Sequence, residues 1–318
     1  MGSYTIRRLL LTIPTVFLVT LIVFFMIRLI PGDIVDIMVS QQSMSITPVD
    51  RAAIAHALGM DVPVMTQYGR WIGGILLHGD LGNSLWKRSP IINDIKARWP
   101  VTFELGFLAI LVSQVIALPI GIYSAIRQDS IGDVIARSFA VLCMGIPSFW
   151  LAIMVIVFPS LWWGYMPSIW LISFTKDPIG NLAMFIVPAI ILGIGMAGST
   201  MRMTRTMMLD VLKQDYIRTA WAKGLKERSV VVRHALKNAL IPIVTLIGFQ
   251  LPVLVGGTVI IENIFGLPGM GQLMLNATQK RDYTTVEAVL FVSAFVMVII
   301  NILVDLTYGF LDPRVHYQ

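Results

Sequence analysis

The stretch DYIRTAWAKG at residues 215–224, followed by HALKNALIP at residues 234–242, separates two long apolar segments. The surrounding segment, residues 202–239, carries nine basic and three acidic residues. A segment with this many charges cannot lie in the hydrocarbon core of a bilayer, because charged side chains there are costly. The chain therefore leaves the membrane at this point, between two apolar spans.

The composition of the whole chain also indicates a membrane protein. Hydrophobic residues make up 56% of the 318 residues and charged residues 13%, and the mean hydropathy is +0.79. A soluble domain has about 25% charged residues, so this chain has too few polar groups to cover a water-facing surface. The net charge of +6 does not indicate a nucleic-acid partner, because the basic residues lie between apolar runs and form no single patch.

Six segments are long and apolar enough to cross a bilayer, which takes about 20 helical residues. They are residues 9–30, 101–126, 138–158, 182–201, 240–261 and 286–311. The first is interpreted as a retained transmembrane helix, because its apolar run exceeds the ~7–15 residues of a signal peptide and no small-residue cleavage site follows it. Prolines inside spans are tolerated where neighbouring helices satisfy the freed carbonyls. The sequence thus predicts an all-α membrane bundle of six spans.

The distribution of Lys and Arg predicts the orientation of the bundle. One alternating set of exposed segments holds 14 of these residues in 64 positions, and the other set holds 9 in 117. The denser set consists of residues 1–8, 127–137, 202–239 and 312–318. Because loops rich in Lys and Arg stay in the cytoplasm, we expect a multi-pass plasma-membrane protein with both termini inside.

The predicted organisation has three parts. Residues 1–100 comprise the first span and an external loop, residues 31–100, that carries six acidic and six basic residues and a possible short helix around residues 48–58. A folded cap over the pore is favoured over a plain connection, because long structureless loops are uncommon in compact proteins. Residues 101–311 form the five-span core, including the segment 202–239, and residues 312–318 form a cytoplasmic tail.

Within the decisive stretch, Tyr216, Ala220 and Gly224 recur at four-residue intervals, which places them on one face of a short helix. Gly224 lies where such a helix would end, and glycine adopts the left-handed capping conformation without steric penalty. Two interpretations fit this pattern equally well: a compact knob that enters a groove on a partner, or a solvated basic loop that only satisfies the topology.

A second segment rich in glycine, ENIFGLPGMG at residues 262–271, lies between the fifth and sixth spans. Its composition predicts a bent, tightly packed backbone, suited to a short external hairpin that closes a solute pathway. An ordinary turn explains it equally well. The possible gate residues are Glu262, Phe265, Gly266, Pro268, Gly269 and Gly271.

Motifs for catalysis and for binding nucleotides or metals are absent from the sequence. There is no Gly-x4-Gly-Lys-Ser/Thr loop to hold phosphates, and no HExxH, GxSxG or CxxC motif. Cys143 is the sole cysteine, and the four histidines have no metal-ligand spacing. We therefore expect no catalytic residue, no metal site and no cofactor in this chain, and any ATP must be hydrolysed by another polypeptide.

Residues 218–237 resemble the EAA loop of ABC importer permeases, in the form found in dipeptide and oligopeptide permeases. They match the general pattern at Ala220, Gly224 and Leu236 and depart from it at the Glu, the first Ala, the Ile and the Pro. Further blocks match in the same order over nearly the whole chain, and together they resemble the B-type permease subunit of the peptide/nickel/glutathione importer group. These blocks are RRLLL (7–11), IRLIPGD (27–33), LGMDVP (58–63), GDLGNS (79–84), ENIFGLPGMG (262–271), RDY (281–283) and LDPR (311–314).

The resemblance implies a type I ABC importer permease in the bacterial inner membrane, importing di- or oligopeptides. It implies three kinds of protein partner besides the lipid bilayer: a homologous C-type permease, two ABC ATPase subunits that bind ATP and Mg, and an external solute-binding protein. The implied ATPase-coupling residues are Asp215, Tyr216, Arg218, Thr219, Ala220, Trp221, Lys223, Gly224 and His234. Nickel chelate, glutathione or oligosaccharide are alternative solutes, and an ion-coupled secondary transporter is disfavoured because the span centres carry almost no charge.

Overall fold

The computed structural model describes residues 2–29, 61–164, 166, 170–256 and 258–311. Within these ranges the chain forms helices joined by turns, with one isolated antiparallel bridge between Asn83 and Pro90. The principal helices are α1 (Gly2–Arg28), α2 (Val64–Gly73), α3 (Ile91–Ile126), α4 (Ile131–Gly145), α5 (Ser148–Trp163), α6 (Pro178–Leu212), α7 (Asp215–Ala222), α8 (Lys237–Gly248), α9 (Val259–Phe265), α10 (Met270–Gln279) and α11 (Tyr283–Leu311). Shorter helical turns lie at Gly74–His78 after α2, at Glu227–Ser229 and Val230–Leu236 before α8, and at Leu251–Leu254 after α8.

Four of these helices have the length and hydropathy of membrane spans: Leu10–Arg28, Ile91–Ile126, Pro178–Leu212 and Tyr283–Val304. Two further pairs of helices, each bent at a short break, reach the length and hydropathy of a span when both helices of the pair are counted together. They are α4 with α5, bent by 92°, and Glu227–Leu240 with Pro242–Leu254, bent by 50°. The all-α membrane bundle is thereby confirmed, and it has six spans if each bent pair is one span.

The predicted third span, residues 138–158, is broken into α4 and α5. Ile146 is extended, with φ −86° and ψ 120°, and Pro147 follows it. The proline ring clashes with a helical conformation at the preceding residue, so a helix ends there. The expectation of one continuous helix was therefore wrong, because Pro147 interrupts this span, whereas Pro14, Pro119 and Pro188 lie inside continuous helices.

The other span boundaries also differ from the predicted ones. The fifth span, predicted at residues 240–261, ends its α-helix at Gly248 and continues through a 3-10 turn that begins with Leu251 and Pro252. Helix α3 begins before its apolar run and includes ten residues of the predicted external loop. Helix α6 ends after its apolar run and includes eleven residues of the predicted loop 202–239. At 1.5 Å per residue, α6 is about 52 Å long and projects beyond a ~30 Å hydrocarbon core.

Helices α3 and α6 form the centre of the bundle, and glycines bring their backbones together. A Cβ on Gly193 would lie 2.7 Å from the Ala109 carbonyl oxygen, and one on Gly198 would lie 2.6 Å from the Ala140 carbonyl oxygen of α4. Glycine at these two positions lets the helices approach closely. Gly195 on the same helix differs, because a Cβ there would meet nothing within 4 Å.

The described part of the predicted external loop packs against α1 and α11. Tyr68 and Trp71 of α2 lie against Phe24 of α1, and the Trp71 ring meets Phe291 of α11 edge-on at 5.6 Å. The hydroxyl of Ser84 donates to Asp282 at 2.5 Å, just before α11. Residues 31–60, including the possible helix around residues 48–58, and the tail 312–318 lie outside the described residues, so the cap stays a prediction.

Candidate functional site

Helix α7 is a short element between α6 and the turns that lead into α8. Asp215 lies in its first turn, where a carboxylate interacts favourably with the helix dipole. The helix ends at Gly224, whose φ is +72°. The N–H of Leu225 donates to the Ala220 carbonyl at 3.4 Å, and the N–H of Gly224 donates to the Trp221 carbonyl at 2.9 Å. This pair of bonds is the Schellman motif, so the predicted capping role of Gly224 is what the structure shows.

One face of α7 is buried against the rest of this chain. Ile217 has no exposed surface and Ala220 is 7% exposed. They pack in one cluster with Ala125 at the end of α3, Met208 of α6 and Val230 of the turn before α8. The helix therefore rests directly on the ends of the two central helices, so a displacement of α7 must move its neighbours or lose this packing.

The opposite face of α7 is open. Tyr216 is 44% exposed and Trp221 is 45% exposed. The predicted coupling residues Asp215, Arg218, Thr219, Lys223 and Gly224 are exposed as well. Ala220 lies one turn after Tyr216, as predicted, but it is buried together with Ile217, so this stripe of residues lies at the edge of the buried face and not on the open one. The surface available to a partner is therefore a polar and charged face with one partly exposed aromatic side chain at each edge, because residues five apart lie about 140° apart around a helix.

His234 lies on the π-helical turn that leads into α8, and it is half-buried. Asn238, one turn later, connects this turn to α7. Its side-chain amide donates to the Tyr216 hydroxyl at 2.8 Å and to the His234 carbonyl oxygen at 3.1 Å. The structure therefore places His234 beside the predicted coupling residues, joined through Asn238.

A buried ion-pair network above this surface was missed by the sequence reasoning. The carboxylate of Asp133 on α4 is fully buried and accepts two hydrogen bonds of 2.8 Å from Arg205 of α6. It also accepts one from the Ser124 hydroxyl of α3, and Arg137 lies 3.6 Å away. Ser130 and Asp133 have the spacing of an N-terminal helix cap, but no local pattern could have paired Asp133 with a residue 72 positions away.

The predicted gate segment forms α9, a tight turn and α10. Gly266 has φ +67°, and the turn repeats the hydrogen bonding found at the end of α7: the N–H of Leu267 donates to the Glu262 carbonyl at 2.8 Å. Phe265 and Leu267 are buried in the cluster that contains Phe185 of α6. Pro268 follows as a half-buried residue of the turn.

Glu262 is the buried centre of this hairpin. Its carboxylate Oε1 accepts hydrogen bonds of 2.6 Å from the hydroxyls of Thr102 on α3 and of Thr258. Its Oε2 accepts from the Gln272 N–H at 3.1 Å. A Cβ on Gly269 would lie within 3.0 Å of this carboxylate, and one on Gly271 would lie 2.9 Å from it. The glycines therefore leave the space that the carboxylate needs. Of the six predicted gate residues, the buried ones are Glu262, Phe265, Gly269 and Gly271.

The two candidate sites lie at opposite ends of α3. The hairpin contacts Thr102 near the start of this helix, and α7 packs against Ala125 near its end. At 1.5 Å per residue, the intervening helix spans about 35 Å, slightly more than the ~30 Å hydrocarbon core of a bilayer. Across the ranges that the structure describes, no group of three His, Cys, Asp or Glu side chains could hold a metal ion.

An all-helical membrane bundle with a short exposed helix at one end and a closed hairpin at the other is the arrangement of a membrane permease. Residues 117–317 match the family described as "Binding-protein-dependent transport system inner membrane component", and residues 1–106 match its N-terminal membrane component family. The chain belongs to this family. It is a multi-pass inner-membrane permease subunit of an ABC importer, of the B-type in the peptide/nickel/glutathione importer group.

Curated relatives match this chain over its full length and over theirs. A putative peptide transport system permease protein of Brucella suis biovar 1 is 38% identical, the dipeptide transport system permease protein DppB of Escherichia coli K12 is 36% identical, and the oligopeptide transport system permease protein AppB of Bacillus subtilis is 35% identical. Among solved structures, the inward-facing MetNI methionine ABC transporter matches with a TM-score of 0.55 at 18% identity, over 69% of this chain and 96% of that chain. This likeness confirms the type I permease fold.

Proposed function

We propose that this chain is one half of the membrane channel of an importer that moves di- or oligopeptides into the cytoplasm. The names of the relatives support this solute class, because peptide, dipeptide and oligopeptide permeases all match the chain from end to end at 35–38% identity. Both termini and α7 lie on the cytoplasmic side in this proposal, and the α9–α10 hairpin lies outside. The density of Lys and Arg in the segments around α7 supports this orientation.

The observation that carries the proposal is the seating of α7. Its inner face packs in one cluster with the ends of α3 and α6, while its polar outer face is edged by the partly exposed Tyr216 and Trp221. Exposed aromatic residues beside charged ones are typical of the anchors of a protein interface. In the proposal, this face docks into an ABC ATPase, and ATP and Mg are bound by that partner, since this chain has no phosphate-binding loop.

The complete transporter in this proposal contains a homologous C-type permease, two ATPase subunits and an external binding protein that delivers the solute. Closure of the ATPase pair displaces α7, and the packed cluster of Ile217, Ala125 and Met208 transfers that displacement to α3 and α6. These helices reach the α9–α10 hairpin at the other end, where Thr102 bonds Glu262. The pathway then alternates between an outward-open and an inward-open state.

Co-expression with the C-type permease and the two ATPases tests this function. The purified chain alone should hydrolyse no ATP, and the complex in lipid should import labelled peptide, with ATP hydrolysis that rises when the peptide-loaded binding protein is added. Tyr216→Ala with Trp221→Ala should weaken ATPase binding by roughly tenfold or more, the loss expected when interface anchors are truncated. Trp163→Ala, at an exposed tryptophan at the end of α5, should leave ATPase binding unchanged. Import driven by a proton or sodium gradient without ATP would overturn the proposal.

A further inference from the structure

The fifth span contains irregular backbone near the middle of the bundle. Helix α8 ends at Gly248, a 3-10 turn occupies Leu251–Leu254, and α9 begins at Val259. Gln250 lies in the break. Its side-chain amide donates to the Thr200 hydroxyl at 2.9 Å and to the Met196 carbonyl oxygen at 3.3 Å, both on α6. The break is therefore attached to α6 by polar contacts.

The depth of this break follows from the apolar runs that contain its residues. Gln250 lies near the middle of the run 240–261, and Gln114 lies near the middle of the run 101–126. Gln114 of α3 reaches the same level, because its Nε2 donates to the Gln250 Oε1 at 3.1 Å. Three spans are thus joined by side-chain amides and a hydroxyl near the middle of the membrane.

One side of the break is open. Phe249 is 73% exposed, and Gly256 is exposed, with nothing within 4 Å of the position that its Cβ would take. Gln114 and Gln250 are only half-buried. Non-helical backbone and amide side chains cannot face lipid hydrocarbon, because their polar groups would lose their hydrogen bonds to water. The open side of the break therefore faces water or protein.

The hydrogen-bonding groups here match those of a peptide main chain. Gln114 Oε1 accepts no hydrogen bond in the part of the chain that the structure describes, and an unpaired buried acceptor is costly. The amide N–H groups of both glutamines already donate within the bundle, so the groups left for a solute are amide oxygens. These can accept from a peptide N–H, and they carry no charge that would select particular side chains. We propose that Gln114 and Gln250 line the solute pathway at mid-membrane and that their amide oxygens accept hydrogen bonds from the main chain of the translocated peptide, while the buried hydroxyl of Thr200 holds Gln250 in place. This inference rests on the proposed function.

Cysteine labelling in the assembled transporter tests whether the break faces the pathway. In a Cys143→Ser background, Phe249→Cys should react with a small charged thiol reagent, and saturating peptide-loaded binding protein with ATP should slow this reaction. The control is Val141→Cys on the outer side of α4, which is 62% exposed and lies at the same depth, because its neighbour Ala140 contacts Gly198 of α6. It should stay unlabelled. Reaction at Phe249→Cys no faster than at Val141→Cys would overturn the proposal, because the break would then be covered by protein or lipid.

A matched pair of substitutions on α6 tests the binding role. Thr200→Val removes the hydroxyl that pairs with Gln250, whereas Thr204→Val, one turn later, removes a buried hydroxyl that has no hydrogen-bond partner in the described residues. Gln250→Ala and Thr200→Val should each lower the initial rate of peptide import by roughly tenfold, or about 1.4 kcal/mol, while binding-protein-stimulated ATP hydrolysis remains. Thr204→Val should import at the wild-type rate. Import at the wild-type rate by Gln250→Ala would contradict this inference alone. A transporter that imports no peptide even with the wild-type chain would contradict the proposed function.

Discussion

At the scale of the residue, two glycines in the candidate sites are required for different reasons. Gly224 has φ +72°, a backbone conformation that strains residues with a side chain. The space around it is open, so a Cβ there would meet no neighbouring atom. Gly269 has an ordinary extended backbone, with φ −97°, but a Cβ there would meet the buried Glu262 carboxylate. The sequence pattern predicted the first requirement, because a glycine after a short helix is a local signal. The second depends on a carboxylate that folding brings to the glycine.

We expect Gly224→Val to insert into the membrane normally and to couple poorly. A left-handed conformation costs an ordinary residue about 1–2 kcal/mol, and a β-branched side chain makes the turn after α7 harder to form. Peptide uptake and binding-protein-stimulated ATP hydrolysis should both fall. Gly224→Asn is the matched control, because asparagine tolerates the left-handed region, and it should retain most of both activities. Equal activity of the valine variant and the wild type would remove Gly224 from the coupling site.

At the scale of the element, α7 and the α9–α10 hairpin share one design. Each ends a short helix at a glycine with positive φ, Gly224 in one case and Gly266 in the other. Each then buries apolar side chains against α3 or α6. They differ in what remains exposed: α7 presents a polar face edged by two aromatic side chains, whereas the hairpin encloses a carboxylate with all its described partners inside the protein. An element of the first kind suits docking, and one of the second kind suits rigid closure.

Gly269→Ala should lower the thermal stability of the purified transporter in detergent. The added methyl group forces the Glu262 carboxylate away from the hydroxyls of Thr102 and Thr258, and overpacking of this kind costs about 1–3 kcal/mol. Gly195→Ala is the control, because its Cβ enters open space on a regular helix, and it should leave the melting temperature unchanged or slightly higher. An unchanged melting temperature for Gly269→Ala would show that the hairpin is looser than its packing indicates.

At the scale of the whole molecule, α3 and α6 connect the two ends. The α7 surface and the hairpin are about 35 Å apart along α3, and the ion pair between Asp133 and Arg205 joins α4 to α6 near the α7 end. A buried pair of this kind is destabilising when one partner is removed. In the proposed function, these packed helices carry the displacement of α7 to the hairpin.

Cysteine labelling of intact cells should reveal this two-ended topology. In a Cys143→Ser background, Lys176→Cys and Gln279→Cys should react with an impermeant maleimide from outside. Asp129→Cys and Glu227→Cys should react only after permeabilisation, because they flank the basic segments expected in the cytoplasm. All four positions are exposed in the structure, so a lack of reaction reports the membrane barrier. Labelling of Glu227→Cys from outside would contradict the orientation and, with it, the proposed docking of α7.

Local signals were sufficient for the class of fold and for much of the α7 site. Apolar runs of about 20 residues predicted membrane helices, and a helix needs only its own backbone groups to satisfy its hydrogen bonds in lipid. The capping glycine of α7 also followed from its place at the end of one short helix. The inward position of Ala220 did not, because which face of an amphipathic helix is buried depends on the elements beside it.

The sequence by itself determined that this protein is a helical membrane bundle with basic segments between its spans, since hydropathy and charge act through the solvent and need no partner residue. Only the tertiary structure decided the break after Ile146, the burial of Asp133 and Glu262, and the meeting of Gln114 with Gln250. Gln114 and Gln250 are 136 positions apart, and Asp133 and Arg205 are 72 apart. A buried polar group is stable only beside its partner, and for these pairs folding alone supplies the partner.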